Sequence, residues 1–287
     1  MQRTGLGILL CLASMLTFAI QDIITKSVLL SGVPLGQVLL VRYIVFTLFA
    51  ISLVGGFQKA IRGLRSRHKV LQVCRSSSSV CEIVLINTSF ILMPIAKAHA
   101  IVALFPIITM LLAWAILREV INRIQVIAIT LGFIGTLIII GSGVEVSLSS
   151  LVPLGGAISL AIYSIMSRYL SSRDAFHTHT LYMGLVGLML SLPFGIWLWQ
   201  PPSSNQWVML MGISTLNIAA QLFFIQALKY ANASVLQPYN YTLLLFAAIL
   251  AFLLLGETPA ITTFLGGGLI VLAGLIMMNY SRRMVRD

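Results

Sequence analysis

The phrase Leu111-Leu112-Ala113-Trp114-Ala115-Ile116-Leu117-Arg118-Glu119 closes one apolar run, and Ile249-Leu250-Ala251-Phe252-Leu253-Leu254-Leu255-Gly256-Glu257 closes another in the same manner. Each run ends on a glutamate, and a glycine follows at a comparable distance, Gly135 in one case and Gly274 in the other. The first phrase falls in the fourth apolar segment of the chain and the second in the ninth, so the sequence reads as two repeats of five segments, 1–146 and 147–287. A repeat with an odd number of crossings must start its second copy from the opposite side of the bilayer. Glu119 and Glu257 are therefore expected at opposite faces, which is the inverted-repeat plan of many secondary transporters.

Composition sets the solvent. Of the 287 residues, 59% are hydrophobic and 9% charged, where a soluble domain carries about 25% charged residues. A hydrocarbon core about 30 Å thick takes roughly 20 apolar residues per helix, which leaves room for about ten crossings and none for a separate soluble domain. Breaking the runs at Gly, Pro and charge clusters gives helices at 5–29, 35–54, 70–93, 95–117, 124–141, 150–170, 179–199, 206–228, 233–255 and 259–280. The expected fold class is an all-α polytopic membrane protein with ten transmembrane helices. The first run, from Gly5, is too long for a signal-peptide core and lacks a small-residue cleavage site, so a retained helix is expected there.

A net charge of +11 could mean nucleic acid, but the basic residues are placed otherwise. Lys59, Arg62, Arg65, Arg67 and Lys69 share one connector and Arg282, Arg283 and Arg286 sit at the end, while connectors 142–149 and 200–205 hold no Lys or Arg. This is the asymmetry of loops retained in the cytoplasm, and it puts both termini there. No nucleic-acid partner is expected. Cys11, Cys74 and Cys81 are an odd number inside apolar segments and offer no disulfide framework.

Ionisable groups inside a membrane are costly unless paired or wetted, so each is a functional candidate. Glu82 lies near the middle of the third helix, with Ser79, Ser78 and Arg75 on its face at spacings of three, four and seven. This face reads as the lining of a water-filled cavity or as a buried structural pair. Asp22 and Arg42 lie at similar depth in the first two helices and are expected to form a salt bridge. His99, near the start of the fourth helix, is a further cavity candidate. Pro106 and Pro238 break the fourth helix of each repeat, each removing a backbone hydrogen bond, and interrupted helices in matching positions point to a transporter's binding site. Beside the second break stand Tyr239, Asn240 and Tyr241; Tyr163, Asn217 and Gln221 complete the mid-membrane polar set, read either as cavity lining or as interhelical hydrogen bonding. Glu119 and Glu257, at helix junctions, are expected to cap the fifth and tenth helices.

Several chemistries are set aside. There is no Gly-x-x-x-x-Gly-Lys-Ser/Thr phosphate loop, no His-Glu-x-x-His, no Cys/His cluster with metal spacing and no activated Ser or Cys nucleophile. No cofactor, no metal and no enzymatic activity are expected. The expected partners are the lipid bilayer and a small-molecule substrate. One carboxylate with several amides and phenols suits an amino acid or a similar small metabolite. A channel and an intramembrane enzyme are the rival readings.

The run Pro94-Ile95-Ala96-Lys97-Ala98-His99-Ala100-Ile101 with Pro106-Ile107 and Glu119 resembles the first repeat of the EamA family of the drug/metabolite transporter superfamily. Ala227-Leu228-Lys229-Tyr230-Ala231-Asn232-Ala233-Ser234 with Gly256-Glu257 resembles the second. Lys26 and Arg42 also match positions where that family often carries a basic residue. The chain departs from the pattern at Phe18-Ala19, where Trp-Gly is usual, and at Pro238, which sits earlier than Pro106. The resemblance implies a carrier in the bacterial inner (cytoplasmic) membrane working by alternating access. Among relatives it points to bacterial amino-acid exporters, including the aromatic amino-acid type; carriers of sugars, purines and drugs share the same motifs.

Overall fold

Where the sequence interrupts its apolar runs, the chain turns. The computed structural model describes residues 2–118, 123–141, 148–171, 173–230, 236, 239–240, 242–258 and 261–284. The first helix, α1 (Gln2–Leu30), stops at Gly32, whose φ of 91° suits a residue without Cβ. Pro34 then starts α2 (Leu35–Leu53) from the N-cap, where its missing N–H costs nothing. Gly55 and Gly56 turn the chain into a short α3 (Phe57–Gly63) inside the basic connector. That helix was not expected, although Phe57, Ala60, Ile61 and Leu64 recur at helical spacing.

The remaining helices are α4 (Lys69–Leu92), α5 (Ile95–Val102), α6 (Phe105–Leu117), α7 (Arg123–Gly141), α8 (Leu151–Ser171), α9 (Phe176–Trp197), α10 (Ser204–Tyr230), α11 (Thr242–Leu255) and α12 (Ile261–Met284). Among the described residues there are helices and one 3-10 turn, Leu148–Ser150, and no strand. The span expected at 95–117 is two helices: α5 ends at Val102 and α6 restarts at Phe105, the residue before Pro106. Ala103 still donates to His99 O and Leu104 to Ile101 O across the break, whereas Pro106 has no N–H to offer Val102.

Among the described residues five stretches are long and apolar enough to cross a bilayer: Gly5–Leu30, Leu35–Leu53, Leu148–Leu170, Phe176–Trp197 and Ser204–Ala227. Shorter apolar helices run over Val126–Gly135, Thr242–Leu255 and Phe264–Ala273. Helix α4 is long enough at 24 residues but carries Gln72, Arg75, Ser76 to Ser79, Glu82 and Asn87. Its polarity follows from what it faces. Gln37, Gln72 and Ser14 are fully enclosed while Leu48, Met189, Val208 and Leu253 are largely exposed, so polar groups turn inward and the outer surface is apolar. This is the arrangement that a hydrocarbon solvent imposes, and the chain is a multi-pass membrane protein.

The packing pattern is regular. Helix α1 lies on α10 and α4 on α8; α2 lies on α9 and α7 on α12; α1 also meets α11 and α6 meets α8; α2 meets α10 and α4 meets α9. Exchanging α1 with α8, α2 with α9, α4 with α10, α6 with α11 and α7 with α12 carries these contacts onto one another, while those of α1 and α2 with α4 have no counterpart. Small residues make the close approaches, as expected where apolar burial gives no advantage over lipid. A Cβ on Gly187 of α9 would collide with the Tyr43 ring of α2, and one on Gly195 would stand 2.5 Å from Leu40 Cβ.

The chain also repeats a backbone detail. After α11, Gly256 turns with a φ of 68°, and after α6 the corresponding Arg118 takes a φ of 54°. The left-handed turn is ordinary for glycine and strained for arginine. Glu119 itself lies outside the described residues.

Candidate functional site

Gln21, Asp22, Thr25 and Lys26 of α1 are all buried, and Asp22 and Lys26 are one turn apart on a common face. His99 of α5 meets this face: its Nε2 lies 3.0 Å from Asp22 Oδ2. The His99 ring leans on Phe90 with centroids 5.5 Å apart, and Ala19, Ile23, Met93, Ile95, Ala98 and Ile101 pack around the pair. The partner of Asp22 is thus His99, where sequence depth alone put Arg42. The turn at Met93-Pro94 lets α5 bring His99 within reach of Asp22, whereas Arg42, on α2, has no carboxylate in ion-pair contact among the described residues.

One turn further along α1, Lys26 Nζ contacts Glu257 Oε1 at 2.5 Å and donates to Met93 O at 3.1 Å. The other carboxylate oxygen of Glu257 accepts from the backbone N–H of Ile95 at 3.1 Å. Glu257 therefore caps α5, a helix of the other half of the chain; the cap expected on the helix that follows it falls at residues 259–260, outside the described residues. A negative charge at a helix N-terminus is favourable through the unpaired amides and the dipole.

Glu82 and Arg42 face the interior between these elements. Arg42 is 8% exposed and makes no hydrogen bond or ion pair among the described residues. Glu82 is half-buried, likewise without a hydrogen bond, and lies within electrostatic reach of Arg42, which attracts it, and of Asp22, which repels it. Tyr43 is 2% exposed, and its hydroxyl is enclosed with no partner.

Of the serines on α4, Ser76 and Ser79 are buried, while Ser78 returns its hydroxyl to Cys74 O on its own helix at 3.0 Å. Arg75 does not serve Glu82. Its Nη2 donates to His179 O at 2.8 Å and its Nε to Gln72 Oε1 at 3.3 Å, and its guanidinium lies 5.4 Å over the Tyr163 ring of α8.

Asn217 of α10 donates to Gln21 Oε1 at 3.1 Å, and Gln221 donates to Asn217 Oδ1 at 3.4 Å, an amide chain that ties α10 to α1. Tyr239 packs instead near Cys11, Ala227 and Leu236, at a separate place along α1. Pro238 and Tyr241 lie outside the described residues, as does the side chain of Pro106. The structure thus gathers Asp22, His99, Glu82, Arg42 and Tyr43 and sets Tyr163 under Arg75. It separates Ser78 and Tyr239 from them. Gln21, Tyr43 and the Lys26–Glu257 contact were missed; Gln21 and Lys26 flank the Asp22 face at helical spacing, while nothing in the sequence signalled the reach of Glu257.

Each end of the bundle carries a polar clasp. At the end of the basic connector, Asp174 Oδ2 accepts from Ser66 Oγ at 2.6 Å and from Gln72 Nε2 at 2.7 Å, and Gln72 Nε2 also lies 3.0 Å from His179 Nδ1. Thr178 donates to Gly63 O at 2.9 Å and Tyr182 to Leu64 O at 3.0 Å. Partial burial pushes the Asp174 carboxyl up, but the Ser66 and Gln72 hydrogen bonds, followed by the charges of His179 and His68, hold it below the usual value. The other end holds Lys26 and Glu257, and near the start of α2 Gln37 exchanges two hydrogen bonds with the backbone of Gln200, at 2.9 and 3.1 Å.

The chain is similar to known transporters. A riboflavin transporter of Vibrio cholerae is 30% identical over 67% of this chain, a match that takes in 65% of that protein's length. An S-adenosylmethionine uptake transporter of Rickettsia prowazekii is 25% identical over 66% of this chain and 65% of its own. A pseudopaline exporter of Pseudomonas aeruginosa is 23% identical over 93% of this chain and 94% of its own. None of these names an amino-acid exporter, the substrate class to which the sequence resemblance pointed. A solved crystal structure superposes with a TM-score of 0.72 over 99% of this chain and 98% of the other; at 18% identity it speaks for the fold alone. The model of the EamA-like transporter family matches residues 5–141 and again residues 148–280, and the chain belongs to that family.

Proposed function

We propose that the chain is a secondary carrier of a small metabolite in the bacterial inner membrane, working by alternating access between two inverted five-helix repeats, 1–146 and 147–287. The observation that carries the reading is the placement of clasps at opposite ends of a charged interior. Ser66, Gln72 and Asp174 tie one end, Lys26, Glu257 and the α5 amide tie the other, and Asp22, His99, Glu82 and Arg42 lie between. A carrier needs two closures that are not open together. The exchange symmetry of the helix contacts and the two separate family matches support the repeat. The ten crossings follow if α5 and α6 count as one broken span and α11 belongs to another.

The substrate is an amino acid or another small metabolite, the wider class that the family resemblance also allowed. Amino acids stay as one class, and the relatives add riboflavin, S-adenosylmethionine and pseudopaline. The cavity residues of the proposal are Ser79, Glu82, His99 and Tyr163, with export as the direction. Proteoliposomes preloaded with each unlabelled solute should show transient accumulation of the same labelled solute for at least one class. Solute flow without saturation or counterflow indicates a channel and overturns the carrier reading.

A further inference from the structure

Nearly every interior charge in the described residues is answered by a neighbour. Lys26 has Glu257, Asp22 has His99, and Arg75 has Gln72, the His179 carbonyl and the face of Tyr163. Arg42 and Glu82 are not answered, and neither is Lys97 of α5, which is half-buried like Glu82. Arg42 is more than nine-tenths buried with no hydrogen bond, and its nitrogens are not sealed off, unlike the neighbouring Tyr43 hydroxyl. Glu82 is in electrostatic reach but not in contact. Tyr43 is wedged flat against Gly187, which fixes the rotation of α2 at this level and with it the direction in which Arg42 leaves the helix.

An unanswered guanidinium inside a membrane protein is expensive to keep. Its planar fork of donors matches a carboxylate or a phosphate two bonds at a time, which a lysine cannot do. We propose that Arg42 is the anion-binding residue of the transport site, that the substrate is a water-soluble metabolite bearing a carboxylate or phosphate, and that Glu82 opposite receives its cationic or donor group. The proposal rests on the carrier reading and narrows it from any small metabolite to an anionic or zwitterionic one.

Pairs of solutes that differ by one anionic group test it: L-phenylalanine against phenethylamine, S-adenosylmethionine against its decarboxylated form, and flavin mononucleotide against riboflavin. Binding to the purified full-length protein is read by calorimetry and by ligand-induced thermal shift. In at least one pair the anionic member should bind about tenfold to a hundredfold more tightly, the range expected of charge-assisted hydrogen bonds. Arg42→Gln should erase the preference and Arg42→Lys should keep part of it. The Lys variant, which retains the charge, decides the matter if the Gln variant does not fold. Equal binding within every pair, no binding by any anionic member, or an undiminished preference in the variants would overturn the proposal. Counterflow on the same preparations separates the two readings. Counterflow with equal binding removes only the Arg42 subsite, and tight anion binding without counterflow removes only the carrier.

Discussion

Lys26 of α1 and Glu257, in the turn after α11, form an ion pair of 2.5 Å that joins the two halves of the chain at one end of the bundle. Both side chains are mostly enclosed, at 9% and 19% exposure, and removing one partner of a buried pair costs about 3 to 5 kcal/mol. Glu257→Gln should approach the lower figure, because the amide oxygen can still accept from Ile95. Lys26→Met with Glu257→Leu should recover much of the loss, since an apolar pair leaves no charge stranded. Melting in detergent measures both, and a double variant less stable than either single one refutes this account.

His99 and Arg42 should respond in opposite ways to mutation. His99→Ala strands the Asp22 carboxylate and should cost about 1 to 3 kcal/mol, whereas Arg42→Gln breaks no bond among the described residues and should cost nothing measurable in unliganded protein. Chemical denaturation of the two variants side by side gives the ordering. An Arg42→Gln variant as unstable as His99→Ala would reinstate Arg42 as a structural partner.

The clasp at Asp174 is acid-sensitive by construction. Its folded carboxyl titrates below the ordinary 3.8, so the native state binds fewer protons than the unfolded chain through that range. The stability it adds is present above pH 3.8 and lost as the pH falls through the lower folded value. Wild type should therefore lose melting temperature more steeply below pH 3.8 than Asp174→Asn does. Parallel acid limbs in the two proteins would show that the Ser66 and Gln72 contacts contribute no linkage.

Arg118 carries a left-handed φ of 54° at the place where Gly256 carries 68°. Arg118→Gly should stabilise the protein by about 0.5 to 1 kcal/mol through relief of the Cβ clash, and Gly256→Ala should destabilise it by about 1 kcal/mol. Thermal shifts of opposite sign in the two variants are the expected result.

The charge of the connector at 59–69 predicts an orientation. If Lys59 to Lys69 face the cytoplasm, as connectors rich in Lys and Arg do, a cysteine placed at Leu64 in a protein otherwise free of cysteine should be labelled by an impermeant maleimide only after cells are opened. Labelling from outside intact cells would reverse the topology.

The long apolar helices α1, α2, α8, α9 and α10 were legible because apolar length is a direct measure of bilayer crossing. Helix α4 was legible for the opposite reason: a polar face in an apolar chain has to turn inward. What the sequence could not supply was which helix stands opposite. Spacing puts Asp22 and Glu82 on known faces but says nothing of the turn at Met93-Pro94 that delivers His99 to Asp22 in place of Arg42. Ser78 shows the same limit, since a shared face for Glu82 and Ser78 is too coarse to tell the interior from the flank, where Ser78 bonds its own helix. Helix α3 was hidden by its charges, which fit a connector as well as they fit a surface helix.

The contact between Glu257 and the α5 amide has a meaning in time as well as in space. Ile95 and Glu257 are 162 residues apart in the chain, and Lys26 and Glu257 are 231 apart. At a synthesis rate of about 5 to 20 residues per second, Lys26 waits on the order of ten to forty seconds for its counter-ion after it enters the membrane. The first half is therefore built with an open helix end and an unpaired cation. The ribosome has to deliver the end of α11 before either is satisfied, which makes the nascent first half dependent on the second for completion.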